Sequence, residues 1–290
     1  MNKILIPLDF EKQSLLALEQ SFSLARLILA DITLLYVYQP SGIFASIFSD
    51  DQKNEMLILI DERLAEIARK ATISSGVAVN YRIEKGRIHS KIIDVAKEIN
   101  AQFIFIGKNS SDPEDDQEKR LGANTSRVIR AASCPVITVA AKVAHEKYRN
   151  ILLPLDLTRE SRQKVTMGIE VARYHGAGIK VVSALLPKSD KAESGRLYQQ
   201  GEQVTDFISS AGIDCTFELL ESRGDEKTIV PTILNYAEQQ GDIDLIIILN
   251  QQEVGLVEYF IGSSAQEFIR LSNIPVMSIM PKELGFGTSF

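Results

Sequence analysis

The chain has few of the residues that build crosslinks and metal centres. Among its 290 residues are two cysteines, Cys134 and Cys215, and three histidines. The cysteines stand one in each half and in no CxxC spacing, which argues against a disulfide framework or a zinc site and leaves them as small buried side chains. His89, His145 and His175 fall in different segments with no i, i+4 partner, so no metal ligand set and no Ser-His-Asp arrangement is visible. His175 precedes Gly176 at a helix end, where a cationic side chain would favour the dipole. No apolar run reaches membrane-spanning length. Met1, Asn2 and Lys3 lead straight into an apolar stretch without the plan of a signal peptide, so the cytoplasm is the expected location. Basic residues are outnumbered, 32 against 38 acidic, for a net charge of −6. A nucleic-acid partner would need clustered Lys and Arg instead.

What is present is a repeat. The length suits two domains, each able to bury a core. KILIPLDF at Lys3 to Phe10 returns as NILLPLDL at Asn150 to Leu157, and LGANTSRVIRAASCPVITVA at Leu121 to Ala140 returns as IGSSAQEFIRLSNIPVMSIM at Ile261 to Met280. Two separated segments recurring in the same order mean a duplicated domain. The expected divisions are 1–141, a charged linker 142–149, 150–281 and a tail 282–290.

Within each copy, strands and helices alternate. Short β-branched or aromatic runs lie at Ile4 to Leu8, Ile32 to Tyr38, Val77 to Ile83, Phe103 to Ile106 and Val136 to Ala140. The second copy has them at Ile151 to Leu155, Ile179 to Leu185, Ile213 to Leu220, Ile243 to Leu249 and Val276 to Met280. Leu15, Leu18, Phe22, Ala25 and Leu29 keep helical spacing, as do Leu57, Ile60, Leu64, Ile67 and Ala71. Continuous apolar strands between amphipathic helices predict an α/β fold with a parallel sheet covered on both faces, five strands per domain. Ligands of such sheets bind beyond the carboxyl ends of the strands. The residues after the first strand are Asp9, Phe10 and Glu11. After the fourth come Gly107, Lys108, Asn109 and Ser110, then a long loop to Gly122, Ala123, Asn124 and Thr125, a glycine-led helix start of the kind that suits phosphate.

These pieces, KILIPLDF before a helix, ITLLYVYQ as a second strand and the ending LGANT…ASCPVITV, resemble the universal stress protein family over essentially the whole chain, twice. The resemblance implies an adenine-nucleotide α-hydrolase-like fold of strand order 3-2-1-4-5. It also implies a stress-response regulatory or interaction module rather than an enzyme, with ATP or AMP as the ligand where a nucleotide is bound and no obligate cofactor. Carried over, Asp9 would stand by the ribose or adenine and the Val37 backbone at the adenine edge, with Gly107, Gly122, Ala123 and Asn124 facing the phosphates. The family's glycine pattern is altered. Ser110 stands at the second glycine, Gly122 comes two residues late, and in the second copy Leu249 and Gln252 replace the first two glycines, leaving Gly262-Ser263. Any nucleotide therefore belongs to the first domain.

Simpler roles exist for the same residues: Asp9 as the N-cap of a helix beginning near Glu11, Gly122 as a tight helix start that Asn124 caps, and Lys108 as a solvated loop lysine. The run SDPEDDQEKR at Ser111 to Arg120 would repel a triphosphate unless a divalent cation intervened, and reads otherwise as a solvated loop. Phe44, Ile47 and Phe48 form an apolar patch that covers a ligand or partner or packs on the neighbouring domain. An ATP pyrophosphatase is disfavoured, because Asp9-Phe10-Glu11 follows the first strand where that class needs a serine- and glycine-rich loop.

Single-domain relatives commonly pair through their final strands. The apolar Val136, Ile137, Thr138 and Val139 are accordingly expected to pair with Val276, Met277, Ser278 and Ile279 inside one chain, with further self-association of chains open. Proline at Ile137 or Ser278 removes a ladder donor. Either substitution is expected to separate the domains and promote aggregation, read by light scattering and limited proteolysis; a chain that stays monodisperse with both prolines would refute the pairing.

Overall fold

The computed structural model describes residues 1–39, 49–108, 121–140, 146–155, 161–250 and 261–281. Phe44, Ile47, Phe48, Ser110, the acidic run to Arg120, His145, Asp156 and Gln252 lie outside them. The chain divides into two compact units, one built on Met1–Glu146 and the other on Lys147–Ser272 with Val276–Phe290. No described helix is long and apolar enough to cross a membrane.

In the first unit β1 (Asn2–Pro7), α1 (Lys12–Leu27), β2 (Ala30–Tyr38), α2 (Asp50–Ser75), β3 (Val79–Lys85), α3 (Ile88–Glu98), β4 (Phe103–Gly107), α4 (Ala123–Ala131) and β5 (Val136–Val139) follow in turn. All the pairings are parallel: Ile4 stands opposite Ile32 on β2 and Phe103 on β4, Ile32 opposite Val79, and Gly107 opposite Val139. The strand order is therefore β3-β2-β1-β4-β5, as the resemblance implies. Right-handed crossovers place α1 and α2 on one face while the chain winds outward from β1, and α3 and α4 on the other once it returns to β4. The packing of α1 on α2 and of α3 on α4 agrees.

Local chemistry fixes the helix ends. The Ser49 hydroxyl accepts from the Gln52 N–H at 3.2 Å while the Gln52 side chain accepts from the Ser49 N–H at 2.9 Å, a capping box that starts α2. Gly76 ends it at φ 72°. Along α2 the expected face is the buried one, at Ile60, Leu64, Ile67 and Ala71. On α1 the expectation was displaced. Leu29 is 80% exposed at φ 53°, beyond the helix, and the buried face is Ser14, Ala17, Leu18, Ser21, Leu24 and Ala25. Small side chains there let α1 lie close on the sheet, a contact that apolar periodicity does not reveal.

The second unit repeats the plan with β6 (Asn150–Pro154), α5 (Ser161–His175), β7 (Gly178–Leu185), α6 (Lys191–Ser210), β8 (Cys215–Glu221), α7 (Ile229–Gln240), β9 (Ile243–Leu249), α8 (Ile261–Leu271) and β10 (Val276–Ile279), in the order β8-β7-β6-β9-β10. Strand β8 begins later than expected, at Cys215. Gly201 on α6 meets β8 so closely that a Cβ there would collide with the Phe217 ring. Cys134 and Cys215 are half-buried rather than fully enclosed, and burial pushes both thiols up to about 11.

Tyr148 and Arg149, placed by sequence in the linker, belong to this unit. Arg149 donates from its backbone N–H to Asp244 Oδ2 at 2.7 Å, and from Nε and Nη2 to the same carboxylate at 3.0 and 2.9 Å. The Tyr148 N–H donates to His175 Nδ1 at 3.2 Å, and the two rings stack at 4.0 Å. His175 is thus no cationic helix terminator. It is 3% exposed and neutral, and its Nε2 is buried without a partner among the described residues. Burial, then the Lys147 charge, push its pKa down to about 4, against the opposing pull of Asp244.

A neutral His175 makes the unit acid-sensitive. The unfolded chain takes up this proton near pH ~6.5 and the folded one only near pH 4. The contribution is complete above the higher value and is lost as pH falls through that window, by roughly 3 kcal/mol. Urea midpoints measured from pH 7 to 4 are expected to fall accordingly and to flatten over that window in His175→Phe; an equal fall in that variant would refute the assignment.

Candidate functional site

The strand order reverses between β1 and β4, so the carboxyl ends of the first unit's strands are where a ligand would be sought. Asp9 lies just past β1. It is not the N-cap of α1, a position held by Glu11. Its carboxylate accepts instead from the Glu11 N–H at 3.0 Å and from the Ser14 hydroxyl at 2.6 Å, fastening the turn between strand and helix. Phe10 completes that turn at φ 68°, uncommon for a side chain of this size, and stacks on Tyr36 at 5.0 Å. Burial, and then the Asp9 charge, raise the Tyr36 pKa.

Gly107 has a structural reason of its own. A Cβ there would sit 2.8 Å from Gln13 Cβ and 2.9 Å from the Gln13 carbonyl carbon, so glycine is what allows α1 to lie across the end of β4. Its carbonyl accepts from the Thr125 hydroxyl at 3.2 Å, and the Lys108 carbonyl accepts from the Gly122 N–H at 3.2 Å. These bonds hold the start of α4 against the end of β4. Lys108, expected in solvent, is 6% exposed. Gly122 is the N-cap of α4 at φ −58°, with Ala123 the first helical residue. Asn124 is therefore inside the helix and does not cap it.

Asn124 instead faces a cleft of about 440 Å³ lined by Gln39, Arg87, His89, Asn124 and Arg127, within the range of small-molecule sites. Three carboxyl-end segments build it. Gln39 follows β2 on the same side as Val37, since alternate strand residues share a face. Arg87 is the N-cap of α3 and His89 lies in its first turn. Asn124 and Arg127 are three apart on α4 and project together. Neither Arg87 nor Arg127 forms an ion pair with a described residue, whereas Arg82 is held by Glu84 and Glu98. Asp9, Val37, Gly107, Gly122 and Ala123 are not among the cleft's described lining. The structure thus joins Gly107, Gly122, Ala123 and Asn124 in one corner and turns Asn124 towards cations that the sequence reading missed. Looking past the third strand as well as the first and fourth would have found Arg87 and His89.

The second unit differs at the matching place. Leu249 pairs with Ile279 as Gly107 pairs with Val139, so a leucine side chain stands where the first unit has no room for a Cβ. Lys164, which matches Ala17 in the repeat, is 4% exposed, and its ammonium donates to the Pro154 carbonyl at the end of β6. Among the described residues no group of His, Cys, Asp and Glu could hold a metal ion.

The sequence model of the Universal stress protein family matches residues 1–140 and again 147–279. The chain belongs to the universal stress protein family. A universal stress protein from Archaeoglobus fulgidus DSM 4304 is similar over 97% of both chains, with a TM-score of 0.77 at 19% identity. A functionally unknown protein from Pseudomonas aeruginosa PAO1 is similar over 97% of this chain and 93% of its own, with a TM-score of 0.65 at 17% identity. At such identities the likeness shows the fold alone: the tandem arrangement of universal stress protein domains.

The two glycines of the first site make separable demands. Gly107→Ala is expected to destabilise the first unit by about 1–3 kcal/mol, because the helix backbone must retreat. Gly122→Ala, at an ordinary φ, is expected to cost below ~1 kcal/mol through the weaker cap alone. Equal shifts of the urea midpoint in the two variants would refute the close approach of α1.

Proposed function

We propose that this universal stress protein is a non-catalytic stress-response module whose first unit takes up a small anionic ligand of the adenine-nucleotide class and which acts on other proteins through its folded surface. The observation that supports the ligand is the cleft at Arg87, His89, Asn124 and Arg127: two arginines gathered beyond the carboxyl ends of the strands, the end of a parallel sheet at which ligands bind. One site per chain rather than two is supported by the divergence of the second unit's strand ends, where Leu249 stands in place of Gly107 and the buried Lys164 in place of Ala17. A reading as an interaction protein that needs no nucleotide draws support from Gly107, whose lack of a side chain is accounted for by Gln13. Pairing of the final strands belongs to either reading, and the proline variants test it.

The decisive measurement is native mass spectrometry of the whole chain purified without added nucleotide, followed by calorimetry with AMP and ATP. One adenine nucleotide per chain is expected, with turnover far below the common enzymatic range of ~1 per second or more. Two sites per chain would overturn the assignment to the first unit. Absence of binding at millimolar nucleotide would leave the interaction reading, and turnover in the enzymatic range would refute the non-catalytic one.

A further inference from the structure

The nucleotide reading, on which this inference rests, leaves open what would hold the phosphate once the glycine corner is committed elsewhere. Gly107 is closed off by the backbone of α1, and Gly122 spends its N–H on the Lys108 carbonyl. The cleft offers other donors. Arg87 arrives from the N-cap of α3 and Arg127 from α4, two helices that pack against each other, so two guanidinium groups approach one space from different elements. His89 and Asn124 add further donors on the same lining. Both arginines are largely exposed and neither is tied to a carboxylate of the described residues.

We infer that Arg87 and Arg127 form a two-sided clamp for a single phosphate group, with His89 and Asn124 completing its donors, so that the site prefers a ligand with one phosphate to a triphosphate. The charge count is the reason. Guanidinium groups bind phosphate through paired N–H donors, and two of them balance one phosphate dianion. A triphosphate brings additional negative charge for which the described lining holds no further permanent cation.

The test compares the full chain with Arg87→Gln, Arg127→Gln and, as a charge control on the same helix outside the lining, Arg130→Gln, titrating AMP, ATP and inorganic phosphate by calorimetry. Unchanged circular dichroism and urea midpoints establish that the variants are folded. AMP is expected to bind more tightly than ATP and to weaken about tenfold or more in each clamp variant, while Arg130→Gln matches the parent. AMP binding that both clamp variants retain would overturn the clamp and leave the nucleotide reading standing. Inorganic phosphate held in a manner dependent on Arg87 and Arg127, without any affinity for adenine nucleotides, would support the clamp and overturn that reading. ATP bound more tightly than AMP would overturn the preference for one phosphate, and equal weakening by Arg130→Gln would reduce the clamp to a general charge effect.

Discussion

Parallel strands cannot be joined by a tight turn, so each strand of this chain must be followed by a crossover, and crossovers are right-handed. The layout of both units depends on that constraint. It puts a helix between each pair of strands and buries both faces of the sheet, which is why Ile4, Leu5, Ile6, Phe105 and Ile137 are all fully enclosed. It also requires the chain to change sides of the sheet when it returns from β3 to β4. The strand ends beside β1 and β4 are then left with helices diverging to opposite faces, and a cleft between segments becomes available there.

How that corner is used depends on a few close contacts. In the first unit α1 presses on β4 through Gly107, and the turn leading into it is fastened by Asp9, Ser14 and the backbone of Glu11. Residues that the family resemblance assigns to nucleotide thus carry local structure. The open cations are displaced to α3 and α4, on the side of the sheet that Val37 and Gln39 face. In the second unit the matching strand end carries Leu249 in place of glycine, and Lys164 on the matching helix is buried with its ammonium on the Pro154 carbonyl. One ancestral plan, duplicated, has kept its sheet in both copies while its strand ends have diverged in chemistry.

A second dependence appears at the start of the second unit. Three donors of Arg149 converge on the nearly buried Asp244, and Tyr148 leans on a neutral His175. An enclosed carboxylate is tolerable because it is paired and fully engaged, and an enclosed imidazole because it stays uncharged. The charged stretch that reads as a linker is in part a set of anchors.

The sequence by itself determined the repeat, the alternation of strands and helices and the parallel sheet, because continuous apolar runs and helical spacing are local patterns that survive in one dimension. It also marked Gly107, Gly122 and Asn124 as lying at the working end of the sheet, since that end follows from strand polarity. Only the tertiary structure decided what those residues do. Whether a glycine faces a ligand or a helix backbone depends on how closely α1 approaches, and that is set by small side chains at Ser14, Ala17 and Ser21, whose helical spacing is hidden from an apolar pattern because two of them are polar. Lys108 read as solvated and is buried; His175 read as a cation and is neutral; both depend on neighbours brought from distant parts of the chain. The meeting of Arg87 with Arg127 is of the same kind: forty residues apart in sequence, they share a space because two crossovers return to one face of one sheet.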